Sequence, residues 1–301
     1  MAHYLDPKND LVFKRIFGEH PDLLISFLNA LMPLDVGRMI ESVEYLSSEL
    51  VPINLSLKNS IVDVRCKDNY GRQFIVEMQM YWNSAFTNRM VFNVSKAYVR
   101  QVEKSQDYEL LQTVYGLAIL NDYIVPKNEA TSFYHHYQTV NRANTDEVIK
   151  GLEFVLVELP KFKPEKWEDR KMAVLWLRFL REVEERATVI SDELLENNDI
   201  HQAVDLCEEG GFTPEELASY ERYWDIIRTE IATNKVSWAE GHAEGHAEGR
   251  AEGRAEGEAI GMEKKTVEFA MKCAQRGMSI AEIAGLTGLT SEEIQTIVEN
   301  K

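Results

Sequence analysis

Two carboxylates and one amide, Asp63, Glu77 and Gln79, lie close enough along the chain to share one site. Residues 61–67 and 73–80 are β-branched, apolar runs on either side of Asp68-Asn69-Tyr70-Gly71, whose turn chemistry predicts an antiparallel hairpin. Side chains at i and i+2 on a strand share a face, so Glu77 and Gln79 point the same way. If residues 68–72 form the loop, Asp63 falls opposite Glu77, and such cross-strand partners sit roughly 5 Å apart. Two carboxylates facing each other in an apolar sheet repel unless something neutralises them. Mg²⁺, which takes a few carboxylates plus waters, would do so. It could also activate water and stabilise charge on a transferring phosphoryl group. A plainer reading makes Asp63 a polar strand end and Glu77 an edge-facing residue; spacing alone leaves both open.

The elements that must position these residues follow from periodicity. Residues 8–32 carry apolar side chains at helical spacing, punctuated by Gly18 and Pro33. A short strand is predicted within 42–50 and a helix over 84–104. Residues 114–120 (VYGLAIL) are continuously apolar, as in a strand buried on both faces. The order is αβββαβ, with strand-like runs at 133–140 and 153–159 extending the sheet.

Beyond Pro164 only helical patterns follow. The predicted organisation is an α/β domain at 1–164, a helical subdomain at 165–235, a tetrad repeat at 236–262 and a helix-turn-helix-like tail at 263–301. The tetrads are WAEG, HAEG, HAEG, RAEG, RAEG and EAIG. They read either as a flexible linker or as a helix whose small residues allow a second copy to pack. His242 and His246 are spaced i, i+4, but Glu244 is not placed as in HExxH, so they read as repeat units that carry histidine. In the tail, Ser279…Glu282 and Thr290…Glu293 have capping-box spacing. Its last helix offers Glu292, Glu293 and Gln295 rather than a basic face, which suits protein contact better than tight DNA binding.

The net charge of −17 is unevenly placed. Residues 1–150 hold 15 basic and 18 acidic residues, and residues 151–301 hold 18 and 32. The acidic excess thus lies in the second half and does not exclude nucleic acid from the first. Three widely separated cysteines, Cys66, Cys207 and Cys273, form neither a disulfide framework nor a zinc pattern. No apolar run approaches membrane-spanning length, and the first residues lack a signal-peptide pattern. A cytoplasmic protein is the expectation.

The combination of PKNDLVFKRIFG, VDV, VEMQ and an Arg/Tyr-bearing helix resembles the recombination-promoting nuclease and transposase-like family of the PD-(D/E)XK nuclease superfamily. The likeness covers about residues 4–160. It implies the superfamily core, αβββαβ, a mixed sheet flanked by helices, here with an all-helical C-terminal extension. It implies Asp63 and Glu77 as metal ligands, the backbone carbonyl of Met78 as a further one, and Asp10 as a water-mediated or second-metal contact. Asp10 has another reading as a helix N-cap, which Asn9 would serve equally. The chain departs from the superfamily at Gln79, where lysine is usual. Glutamine can hydrogen-bond a water but carries no charge, so a cation would have to come from elsewhere. Lys14, Arg89, Lys96 and Arg100 are the candidates for phosphate contact, the last three on one helix face. The implied activity is a DNA endonuclease using Mg²⁺, with Mn²⁺ able to substitute, and a dimer would suit double-strand cutting. The alternatives are a catalytically weak or inactive DNA-binding or protein-interaction module, and a nuclease acting on foreign DNA.

Overall fold

The computed structural model describes residues 3–50, 60–102, 107–124, 131–166, 170–185, 187 and 189–299. They form two compact units, residues 1–229 and 230–301.

In the first unit, α1 (Asp10–Glu19) and α2 (Pro21–Leu31) precede β1 (Val43–Tyr45). A small ribbon of β2 (Glu49–Leu50) and β3 (Ser60–Ile61) comes next, then the hairpin β4 (Val64–Asp68) and β5 (Gln73–Gln79). The helix α3 (Ser84–Val99), β6 (Val114–Leu120), β7 (Tyr134–Asn141) and β8 (Asn144–Glu158) complete the α/β part. The main sheet has the order β1-β4-β5-β6-β8-β7, with β5, β6 and β8 parallel and the outer pairs antiparallel. Helices α4 (Lys171–Glu182), α5 (Asp192–Leu195) and α6 (Asn198–Asp205) and the start of α7 (Pro214–Gln275) follow.

Alternation along the strands divides two cores. Val64, Cys66, Phe74, Val76, Met78, Leu117 and Ile119 pack with α1, α2, α4 and α6. Ile75, Val114, Ala118 and Leu120 face α3 instead. β6 is buried at every position, as its unbroken apolar run requires. On the first face Trp176 is fully buried among Phe17, Phe27 and Phe179, and its indole N–H donates to Ser26.

The hairpin turn closes as its composition dictates. Asp68 Oδ1 accepts from the Tyr70 and Arg72 N–H groups, and Gly71 adopts φ +80°, a conformation open to glycine.

Four predicted elements differ from the structure. The strand expected within 42–50 is two short strands, β1 and β2, in different sheets. The strand expected at 61–67 is likewise broken at Val62 and Asp63, because Val62 turns into the α3-side core and its N–H donates to Ser48. The helix expected over 84–104 ends at Val99 with Arg100 as its C-cap, while residues 103–104 lie outside the described residues. β8 also begins earlier than its apolar run. Residues 144–150 are exposed, Val148 and Ile149 included, and pair with β7.

One contact fixes the height of α3 over the sheet. A Cβ on Gly116 would lie 2.8 Å from both Met90 Cε and Val94 Cγ2. Glycine in a strand interior marks such a close approach, and the branched Val94 side chain cannot rotate away freely. Gly116→Ala should therefore cost about 1–3 kcal/mol, read as a lower thermal midpoint. An unchanged midpoint would mean that α3 can lift without penalty.

In the second unit the AEGx tetrads are helical within α7, and residues 240–260 are exposed wherever side chains are described. The end of α7 packs with α8 (Ile280–Thr287) and α9 (Ser291–Glu299) through Ala270, Cys273, Ile283 and Ile294. Both capping boxes form, Ser279 with Glu282 and Thr290 with Glu293. Glu292, Glu293 and Gln295 are exposed on α9. Among the described residues, no helix is long and apolar enough to cross a membrane.

Candidate active site

The site grows from the broken end of the hairpin. The register of β4 with β5 pairs Val64 with Val76 and Cys66 with Phe74, and its continuation brings Asp63 level with Glu77. Asp63 lies outside the ladder, at the bend. Its Oδ2 accepts the Met78 N–H at 2.7 Å, so the side chain holds the rung that main chain would otherwise fill. Glu77 is buried on the α3 face. Its carboxylate accepts from Asn93 Nδ2 at 3.1 Å and from an Arg89 guanidinium nitrogen at 3.4 Å.

Gln79 sits one pleat beyond Glu77. Its amide Nε2 donates to the Tyr81 carbonyl at 3.0 Å, which leaves Oε1 to accept from Arg89 at 2.8 Å. Arg89 is half-exposed and spans Glu77 and Gln79. The side chain at the usual lysine position therefore carries no charge itself but fixes one in place.

Both carboxyls are held above their ordinary range. Desolvation pushes Asp63 up to about 7; the Met78 N–H opposes this, while the charges of Glu77 and Asp10 add to it. Burial raises Glu77, and Arg89 and Asn93 pull it back only in part. A pair of desolvated carboxylates left short of positive charge is a donor set suited to a divalent cation. Among the described residues no three His, Cys, Asp or Glu side chains cluster as a ready metal cage. Mg²⁺ does not need one, since it commonly takes one or two carboxylates and keeps several waters.

The remaining predicted residues divide by position. Asn9 is the N-cap of α1, its side chain accepting from the Leu11 N–H at 3.0 Å. Asp10 is thereby left in the first helical turn, paired with Lys14 at 2.8 Å, and both charges are felt at Asp63. Of the three predicted cations on α3 and its cap, Arg89 reaches Glu77 and Gln79. Lys96 bonds the Leu50 carbonyl, and its pKa is lowered by partial burial and by Arg100. Arg100, at the end of the helix, also lowers the pKa of Arg65, after burial. Sequence reasoning passed over Asn93. It lies four residues after Arg89 on the same helix face, and that spacing was the available signal.

The family model described as PD-(D/E)XK nuclease family transposase matches residues 7–230. Comparison with curated proteins finds no match, and comparison with solved structures finds none. The matched span holds α1, the whole sheet, α3 and the helices up to the first turns of α7. With that coverage, and with a six-stranded mixed sheet flanked by helices, the chain belongs to the PD-(D/E)XK nuclease family of transposases.

Proposed function

We propose that this protein is a metal-dependent endonuclease that hydrolyses phosphodiester bonds in DNA. The observation that carries the reading is the desolvated pair Asp63 and Glu77, both raised in pKa, with the Asp63 carboxylate held by the N–H of Met78, next along the chain from Glu77. Asp63, Glu77 and the Met78 carbonyl would hold the ion, with Asp10 as an outer contact. A bound Mg²⁺ or Mn²⁺ would supply Lewis-acid activation of water and offset charge on the phosphate.

The chain's own groups do the rest. Asn93 fixes the Glu77 carboxylate from the α3 side. Gln79 aims the Arg89 guanidinium, whose planar fork suits a phosphate oxygen. Arg89, held by Gln79 and half-exposed, would meet the charge that develops at the scissile phosphate. The water oxygen bonds to phosphorus and gives up a proton as the bridging P–O bond breaks, and the leaving oxygen takes one up. Arg89 would thus supply the charge that Gln79 lacks.

Supercoiled plasmid should be nicked or cut in Mg²⁺ or Mn²⁺ and left intact in a chelator. Arg89→Ala should slow cutting roughly 10²-fold, the usual scale for removing one charge-stabilising donor. Equal cutting in the chelator, or by Arg89→Ala, would refute the mechanism. A second reading, a DNA-binding module that does not cut, is favoured by the uncharged Gln79. It wins if DNA binds with Ca²⁺ yet stays whole with Mg²⁺ and Mn²⁺.

A further inference from the structure

A cleft of about 670 Å³ lies between α1 and the first turns of α7, within the first unit. Its size falls within the ~300–1,000 Å³ of ligand-binding clefts. Its walls are pinned together: Arg15 donates to the Gly211 carbonyl at 2.8 Å, and the Asp6 N–H donates to the Tyr220 hydroxyl at 3.1 Å. The space is therefore preformed.

Three features give the cleft a ligand class. First, Asp10, which the nuclease reading makes an outer contact of the ion, is one of its lining residues. Second, three cations line it, Lys14 and Arg15 from α1 and Arg222 from α7, of which Lys14 is paired with Asp10 and Arg15 is held by the Gly211 carbonyl and over the Phe212 ring. The acids opposing them are partly engaged. Asp10 is paired with Lys14, and Glu216 accepts the Thr213 N–H at 2.7 Å, while Glu19 adds a third negative charge. Among the described residues Arg222 makes no ion pair, and it is exposed. Third, the half-buried Tyr223, whose ring packs with Trp224 at 5.4 Å between centroids, lines the same space. Backbone-tracking cations next to an aromatic face are what a single nucleic-acid strand uses, phosphate to the cation and base to the ring.

We propose that this cleft holds a single DNA strand leading to the carboxylate pair, with Arg222 on a phosphate and Tyr223 against a base. The proposal rests on the nuclease reading and assigns that site its strand path. It brings the first turns of α7 into substrate binding, although they lie far along the chain from the hairpin.

The test uses the full chain with Ca²⁺ and a labelled single-stranded oligonucleotide, alongside a duplex of the same sequence. Arg222→Gln should bind the single strand about tenfold more weakly and flatten the salt dependence by about one unit of log–log slope. Tyr223→Ala should weaken the single strand about tenfold and the duplex much less. Arg254→Gln, on the exposed tetrad helix, should bind as the parent does, and thermal melts should show every variant folded at the assay temperature. Parent-like binding by both Arg222→Gln and Tyr223→Ala overturns the cleft, as does an equal loss on single strand and duplex. If the parent cuts DNA while both variants bind normally, the cleft fails and the nuclease stands. If both variants lose binding but the parent never cuts in Mg²⁺ or Mn²⁺, the nuclease reading fails and the cleft stands. A parent that binds no DNA overturns both.

Discussion

Asp63→Asn should abolish cutting and at the same time make the metal-free protein harder to unfold at pH 8. Loss of a metal ligand removes several kcal/mol of transition-state stabilisation, on the order of 10³-fold in rate. The stability gain has a separate origin. The folded pKa of Asp63 is raised to about 7 by burial and by neighbouring acids, against about 4 for an unfolded aspartate. The native state therefore keeps the proton longer than the unfolded state. This contribution favours folding below about pH 4, declines as pH rises towards 7, and is lost above that. Asparagine stays neutral throughout and can still accept the Met78 N–H. The variant should gain roughly 2–4 kcal/mol over the parent at pH 8 and little at pH 4. Urea unfolding at both values, in chelator, measures this. A gap that does not change with pH would show that Asp63 is not strained by its surroundings.

Lys161→Met should cost roughly 3–5 kcal/mol, the scale for orphaning one member of a buried ion pair. Glu158 and Lys161 are almost wholly excluded from solvent and pair at 2.9 Å. Glu158 also accepts from the Ile124 N–H at 2.9 Å and lies 2.7 Å from His135 Nε2. Removing the lysine leaves a carboxylate with no room to hydrate. Adding Glu158→Gln, which keeps the acceptor for Ile124 without the charge, should recover at least half of the loss. A single-variant cost under about 1 kcal/mol would mean that the Ile124 N–H and His135 satisfy Glu158 without the lysine.

The two clusters show what a sequence displays and what it hides. The αβββαβ order and the 63/77 register were legible because both rest on local signals: apolar alternation, an Asp-Asn-Tyr-Gly turn and a buried apolar run. Glu158 was legible only as the end of a strand. Its partners come from a later turn, from β7 and from the loop after β6, and no periodicity announces that meeting. The same holds for the cleft, where α1 meets residues some two hundred positions later. Asn93 was hidden differently: a neutral polar residue on an amphipathic helix looks like surface until packing places it against Glu77. The bend at Asp63 could not be read at all, since the alternation of residues 61–67 predicts one strand and only the competing core around Val62 breaks it.

The glycine at every fourth position of α7 bears on time rather than on shape. A Cβ at any of the six would meet nothing within 4 Å, so none is kept for want of space. Each forgoes about 1 kcal/mol of helix propensity relative to alanine. Opening a turn there breaks backbone hydrogen bonds but forfeits almost no side-chain packing. Residues 241–261 are thus the stretch of α7 whose amides trade hydrogen with water soonest, an intrinsically fast segment between a docked beginning and a capped end.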